Sequence, residues 1–217
     1  MFLVRNKLKL LTNVGPSVTL FGKLRAKYEV AMQPLGRAIG GVGISPNMIS
    51  TVSLIIAFGS AVAYASKEPL LGALGLLGSG VVDMLDGSVA RATGAVTRFG
   101  AVYDPVLDRY AEFAILFGMG FGGLVNWPWV VFSLCGMVMA SYTRARAESV
   151  GGLEHCRVGL AERQEKIILL LIGSLLQPAF NAALPIAVLV VGILSHMTVV
   201  QRLNFTYAKT RGVRVNV

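Results

Sequence analysis

Four aspartates in one short stretch constrain this chain more than any other feature. Residues 83–108 read DMLDGSVARATGAVTRFGAVYDPVLD and join two long apolar segments. An ionised carboxylate in such surroundings is costly unless a cation compensates its charge. Asp83 and Asp86 are spaced i, i+3, and Asp104 and Asp108 are spaced i, i+4, so each pair shares one helix face. We expect a hairpin of these two helices to bring the four acids together.

A compact group of carboxylates predicts a divalent cation site. Hard oxygen ligands suit Mg²⁺, with Mn²⁺ as the alternative, and Mg²⁺ is commonly held by a few carboxylates plus substrate phosphates. Gly87 and Gly100 leave room for close approach of a substrate, and Arg91 supplies a permanent cation for a phosphate oxygen. The alternative interpretation is that the acids only pair with nearby arginines, namely Arg91, Arg98 and Arg109.

The spacing of these residues forms a specific motif. It is written D-x2-D-G-x2-A-R-x8-G-x3-D-x3-D, and every fixed position is filled: Asp83, Asp86, Gly87, Ala90, Arg91, Gly100, Asp104, Asp108. The motif resembles the signature of the CDP-alcohol phosphotransferases, membrane enzymes of phospholipid biosynthesis. This resemblance implies a transferase embedded in the membrane.

Composition agrees with a polytopic membrane protein of the all-α class. Of 217 residues, 54% are hydrophobic and only 14% are charged. The two cysteines imply no disulfide framework and are compatible with a reducing cytosolic face. The net charge of +9 requires no nucleic-acid partner, because no soluble nucleic-acid module remains to carry it.

The N-terminal segment, residues 1–44, is strongly basic and carries one acid, Glu29. From about Val18 to Ile39, apolar and basic residues alternate in a helical rhythm, which predicts an amphipathic helix on the membrane surface. The alternative is a helix packed wholly on protein. An anionic cytoplasmic leaflet attracts basic segments, so we expect the N-terminus to be cytoplasmic.

A six-helix membrane domain is predicted over residues 45–205, followed by a basic cytoplasmic tail over residues 206–217. Of the 20 Lys and Arg residues, only Lys67 falls in an outer connection, so both termini and the four acids face the cytoplasm. The predicted spans are approximately 47–65, 70–92, 100–124, 128–146, 165–176 and 184–204.

The family resemblance implies a reaction and a role for each motif residue. The hydroxyl of an acceptor alcohol attacks the β-phosphorus of CDP-diacylglycerol, or of an ether-lipid equivalent, and CMP leaves. The implied metal ligands are Asp83, Asp86, Asp104 and Asp108, with Asp108 also the general base. The residues implied to bind the CDP-lipid are Pro46, Asn47, Ser50, Gly87, Arg91 and Thr97. A homodimer is also implied.

Arginines at three cytoplasmic helix ends bear on the acceptor. Arg144, Arg163 and Arg202 either grip a phosphate or are solvated charges that obey the positive-inside rule. These segments are similar to the phosphatidylinositol-phosphate synthases and the archaetidylinositol-phosphate synthases, in which basic residues at these positions hold inositol 1-phosphate. Arg144 stands where lysine is common, and Gln164 replaces a frequent proline.

Two further functions remain open from the sequence. Phosphatidylglycerol-phosphate synthases share the motif and accept glycerol 3-phosphate. In another class, cation transporters also carry acids on glycine-rich membrane helices. Against a transporter, the outer halves of the second and third predicted helices offer no polar residue except Ser79 to continue a path.

Overall fold

The computed structural model describes residues 38, 40, 41, 43 and 45–212. This part of the chain contains six α-helices and no β-strand, which confirms the all-helical prediction. The predicted amphipathic helix at 18–39 falls outside the described residues except for residue 38. The helices are α1 (Pro46–Ala65), α2 (Pro69–Thr93), α3 (Gly100–Phe121), α4 (Trp127–Ser149), α5 (Arg163–Leu176) and α6 (Ala183–Thr210).

Local sequence signals set several helix ends. The Ser45 hydroxyl accepts a hydrogen bond of 3.3 Å from the Met48 amide, and Pro46 occupies the first turn, as the Ser-Pro pair predicts. Helix α2 ends at Thr93 and is capped by Gly94, whose φ of 67° is left-handed and suits glycine. The next helix starts where the Thr97 hydroxyl accepts a 2.9 Å hydrogen bond from the Gly100 amide.

The six helices pack as two groups. Helix α1 packs on α2 and α3, α4 packs on α6, and α5 contacts both α6 and α2. In the core, the buried Tyr64 hydroxyl lies 2.7 Å from the Ser174 hydroxyl and so joins α1 to α5. The bridging position of α5 brings its first residue, Arg163, to the cytoplasmic ends predicted for α2 and α3.

Glycines let α3 lie directly on α1. A β-carbon at Gly118 would overlap the backbone of Ala61, and one at Gly122 would overlap the carbonyl of Tyr64. The small-residue spacing therefore serves a contact within this chain, as small residues do between packed membrane helices. It does not mark the face that a second copy would use.

The outer surface of the bundle is apolar. Large side chains point outward on several helices, including Ile55, Val62, Leu74 and Phe121, each at least 63% exposed. Exposed apolar area of this extent marks contact with a membrane or a partner. By length and composition, α1, α2 and α6 are each long and apolar enough to cross a bilayer. These are the features of a membrane-integral protein.

Four helix ends differ by two or more residues from the predicted bounds. Helix α4 continues to Ser149, three residues beyond its predicted end. Helix α3 ends at Phe121, three residues before the predicted end, because Gly123 adopts a φ of 67° and turns the chain. Helix α6 continues to Thr210, six residues further than predicted. At about 1.5 Å per residue, this helix of 28 residues is longer than the hydrocarbon core of a bilayer, which is about 30 Å thick. Its last turns can therefore lie outside the core and need no apolar side chains. Helix α5 begins two residues early, at Arg163.

The α1–α3 contact predicts that Gly118→Ala destabilises the fold. Its methyl group would force the two backbones apart, and overpacking of this kind typically costs about 1–3 kcal/mol. The measurement is the thermal unfolding temperature of the purified protein in detergent. Gly59→Ala is the matched control, because its β-carbon would meet nothing within 4 Å. An unchanged unfolding temperature for Gly118→Ala would contradict the close contact.

Candidate active site

Helices α2 and α3 bring three of the motif acids together, as the hairpin prediction requires. One carboxylate oxygen from each of Asp83, Asp104 and Asp108 lies within 4.8 Å of the other two. Oxygens bound to one Mg²⁺ at about 2.1 Å are at most about 4.2 Å apart, so a small contraction of this group would hold the ion. The donor set, three hard carboxylate oxygens, therefore fits a divalent cation.

The fourth acid, Asp86, is held by α1. The Ser50 hydroxyl donates a hydrogen bond of 2.5 Å to Asp86 Oδ2, and Asp86 is only 8% exposed. Its carboxylate is near those of Asp83 and Asp104, close enough for their charges to interact. Ser50 thus reaches the acid group through a direct contact.

In this structure an arginine pairs with two acids of the group. Arg163, at the start of α5, donates a hydrogen bond from Nη1 to the Asp83 carboxylate, and its Nη2 lies 2.9 Å from Asp108 Oδ1. Arg109 lies 3.7 Å from Asp108 Oδ2. The alternative prediction of acid–arginine pairing is therefore seen for Arg109. The main partner, Arg163, comes from α5 and was expected to bind the acceptor.

Two residues expected to bind the CDP-lipid meet at the N-terminus of α3. A β-carbon on Gly100 would lie 3.1 Å from Thr97 Oγ1 and 3.2 Å from Asn47 Oδ1. The absence of that β-carbon keeps the space between the two side chains open. Pro46 begins α1 directly before Asn47.

Gly87 and Arg91 are neighbours on α2. A β-carbon at Gly87 would lie 3.2 Å from Nη1 of Arg91, so the glycine makes room for the guanidinium. Arg91 itself is exposed. The motif thus places an accessible cation about a turn and a half beyond Asp86.

The three arginines expected at the acceptor phosphate lie in two places. Arg144 Nε donates to Glu148 Oε1 at 3.0 Å. Arg202 donates to the carbonyl oxygens of Val158, at 2.9 Å, and Ala140. The charges of Arg144 and Arg202 are close enough to interact, whereas Arg163 is engaged by the acids of α2 and α3.

A buried charged group behind the acids was missed from the sequence. Glu112 Oε1 lies 3.0 Å from Arg109 Nη2 and 3.9 Å from Arg163 Nε. Arg109 also donates to the Ser141 hydroxyl of α4, and Lys166 of α5 is only 7% exposed. Glu112 follows Asp108 by the same four residues that separate Asp108 from Asp104. That spacing was the available signal.

Curated relatives match most of the chain. The archaetidylinositol phosphate synthase of Pyrococcus horikoshii is 37% identical over 183 residues, which cover 84% of this chain and 94% of the relative. The phosphatidylinositol phosphate synthase of Mycobacteroides abscessus is 33% identical over 192 residues, covering 83% and 85%.

A solved structure has the same fold. The crystal structure of Mycobacterium tuberculosis phosphatidylinositol phosphate synthase with CDP-DAG bound matches with a TM-score of 0.76 and 26% identity, over 86% of this chain and 98% of that one. The same synthase in complex with manganese and citrate matches with a TM-score of 0.76, 27% identity and coverage of 86% and 93%.

The family model described as CDP-alcohol phosphatidyltransferase matches residues 43–194. The matched range contains the whole aspartate motif and Arg163. Its activity is that of a transferase, so the comparisons lend no support to the cation-transporter alternative. The family model matches residues 43–194, and 84% of this chain aligns with a relative at 37% identity. This chain therefore belongs to the CDP-alcohol phosphatidyltransferase family.

Proposed function

We propose that the protein transfers the phosphatidyl group of a CDP-lipid to a hydroxyl of inositol 1-phosphate, giving a phosphatidylinositol phosphate and CMP. The observation that carries this proposal is the convergence of Asp83, Asp104 and Asp108, three of the four aspartates of the family motif. The names of the relatives support inositol phosphate as the acceptor. They include both archaeal and bacterial synthases, so the lipid is either an ether or an ester.

We infer that Asp83, Asp86, Asp104 and Asp108 hold Mg²⁺ or Mn²⁺. The oxygen donor set supports a divalent cation, and a related synthase has been crystallised with manganese. When bound, such an ion neutralises charge on the pyrophosphate and on the leaving CMP. Ser50 would fix the orientation of Asp86, as outer groups do for metal ligands.

Asp108 serves as the general base in this proposal. It accepts the proton of the acceptor hydroxyl while the hydroxyl oxygen forms a bond to the β-phosphorus of the CDP-lipid. The bond from that phosphorus to the oxygen of CMP breaks, and CMP carries away the electron pair. Asp108 lies four residues after Asp104 on the same face of α3. The base would therefore lie beside the metal ligands and close to the β-phosphate of the CDP-lipid.

The donor would lie along the first turns of α1 and α3. Asn47 and Thr97 frame an open space at Gly100, and Arg91 offers an accessible cation for phosphate. Pro46 and Gly87 complete this set by shaping the backbone around it, and Ser50 by holding Asp86. The acyl chains would stay in the membrane while the nucleotide reaches the acids from the cytoplasm.

The acceptor phosphate would be held by Arg144, Arg163 and Arg202. Arg144 and Arg202 are already near one another, and a phosphate would draw Arg163 toward them because guanidinium groups bind phosphate with two parallel hydrogen bonds. Arg163 then links the acid group to the acceptor.

The proposed setting is the cell membrane, with six spans, both termini in the cytoplasm and the active site at the cytoplasmic face. The near-absence of Lys and Arg from the outer connections supports this orientation. At 14 residues, α5 is shorter than the about 20 that usually cross the hydrocarbon, so it would need its flanking turn to complete the span. The amphipathic helix and a homodimer belong to the same proposal.

The acceptor is tested by CMP release from purified protein with Mg²⁺. CDP-diacylglycerol and its archaeal ether analogue are each paired with inositol 1-phosphate, free inositol, glycerol 3-phosphate or serine. We expect release with inositol 1-phosphate and none with free inositol, because the arginines need a phosphate. Release only with glycerol 3-phosphate would make the protein a phosphatidylglycerol-phosphate synthase. Release with none of the four would refute inositol 1-phosphate as the acceptor.

The base is tested by Asp108→Asn. We expect CMP release to fall by at least about 10²-fold, the lower end of what a general base contributes, while CDP-lipid binding stays largely intact. Turnover and equilibrium binding of the CDP-lipid are measured on the same preparation. Asp83→Ala is the comparison, because it removes an oxygen ligand of the metal altogether and should weaken nucleotide binding as well, whereas Asp108→Asn keeps one oxygen for the metal. Turnover near that of the unaltered protein would rule out Asp108 as the base.

A further inference from the structure

Glu112 has a buried oxygen with no hydrogen-bond partner. Its Oε1 forms a salt bridge of 3.0 Å with Arg109 Nη2, whereas Oε2 receives no hydrogen bond from the described residues. Lys166 of α5 and Asp83 of α2 also lie close enough to interact with this carboxylate. A buried carboxylate oxygen normally has a partner, so an unpaired one calls for a reason.

Arg163 carries the matching unpaired donor. Two of its guanidinium nitrogens pair with Asp83 and Asp108. Its Nε donates no hydrogen bond within the described part of the chain and lies 3.9 Å from Glu112 Oε1. A cavity of about 30 Å³ is lined by Glu112, Arg163 and Lys166. The guanidinium therefore has both a second carboxylate and space beside it.

Arg163 and a divalent cation need the same oxygens. Asp83 and Asp108 belong to the group of carboxylates suited to a metal, and the same two residues pair with Arg163. A cation at that group would repel the guanidinium and take its acceptors. The Arg163 side chain is only 25% exposed, so it would then lack a counter-charge unless another acid took the place of Asp83 and Asp108.

We propose that Glu112 is a positioning residue that receives Arg163 when a divalent cation occupies the acid group. The arginine exchanges Asp83 and Asp108 for Glu112 and stays at the edge of the site, where it faces the phosphate of the acceptor. Arg109 and Lys166 balance the charge of Glu112 while Arg163 is with the other acids. The role of Arg163 toward the acceptor rests on the proposed function, but the exchange between carboxylates does not.

The test is a double-mutant cycle on Mn²⁺ affinity, measured by calorimetric titration of the purified full chain without either substrate. Glu112→Gln should weaken Mn²⁺ binding about three- to tenfold, because Arg163 loses its second partner and competes harder for the acids. Arg163→Gln should tighten Mn²⁺ binding. In the Arg163→Gln background, Glu112→Gln should have no further effect.

A matched control removes the same charge elsewhere. Glu154 is exposed in the loop between α4 and α5, and Glu154→Gln should leave Mn²⁺ affinity unchanged. If Glu112→Gln does not fold, Glu112→Asp makes the same comparison, because its shorter side chain moves the carboxylate away from Arg163. Thermal unfolding temperatures identify folded variants.

Two results would overturn the proposal. Equal weakening by Glu112→Gln with and without Arg163 would mean that Glu112 acts on the cation through its own charge. No weakening in either background would mean that Glu112 does not receive the arginine. Because the titration contains no CDP-lipid or acceptor, a wrong acceptor assignment leaves its outcome intact. Failure of the unaltered protein to bind Mn²⁺ would instead remove the metal assignment together with the exchange.

Discussion

The structure depends on compensating negative charge inside an apolar bundle. Asp83, Asp104 and Asp108 face one another closely, and mutual repulsion would drive them apart without a cation between them. Here Arg163 supplies that charge from α5. The same carboxylates that hold the bundle ends together are therefore those that would bind a divalent cation. Charge balance links the fold to the chemistry.

Helix packing fixes where this charge balance occurs. Close approach of α3 to α1 at Gly118 sets the depth of the acids on α3, and the Ser50–Asp86 hydrogen bond ties α1 to α2. Contacts of α5 with both α2 and α6 carry Arg163 to the acid group. A lipid donor with its chains in the membrane and a water-soluble acceptor would then meet at one face of the bundle.

Much of this arrangement follows from short-range patterns. The Ser45-Pro46 start of α1 and the acid spacings on α2 and α3 depend on neighbours within a few residues, so the sequence predicts them well. The partner of Asp83 could not be predicted in this way, because Arg163 lies 80 positions further along the chain. Glu112 was overlooked although it continues the four-residue spacing of Asp104 and Asp108. A single glutamate in an apolar region that belongs to no motif is interpreted as an isolated charge until the structure shows its partners.

The extent of α6 could not be predicted for a different reason. Hydropathy predicts where the apolar layer ends, whereas a helix continues as long as its backbone hydrogen bonds are maintained. Thr210, the last residue of α6, therefore lies well beyond the predicted span. Likewise, Arg144 and Arg202 were predicted beside a phosphate. The i, i+4 spacing of Arg144 and Glu148 on α4 was available from the sequence, whereas the carbonyl acceptors of Arg202 come from distant segments and are revealed only by the structure.

The most direct test of the account is the anomalous scattering of Mn²⁺ in crystals of the unaltered protein. We predict one or more anomalous peaks within bonding distance of Asp83, Asp104 and Asp108, with the Arg163 guanidinium displaced from Asp83 and Asp108. A peak elsewhere in the protein, or an acid group that keeps Arg163 and gives no peak at saturating Mn²⁺, would contradict the assignment of these aspartates as the metal site.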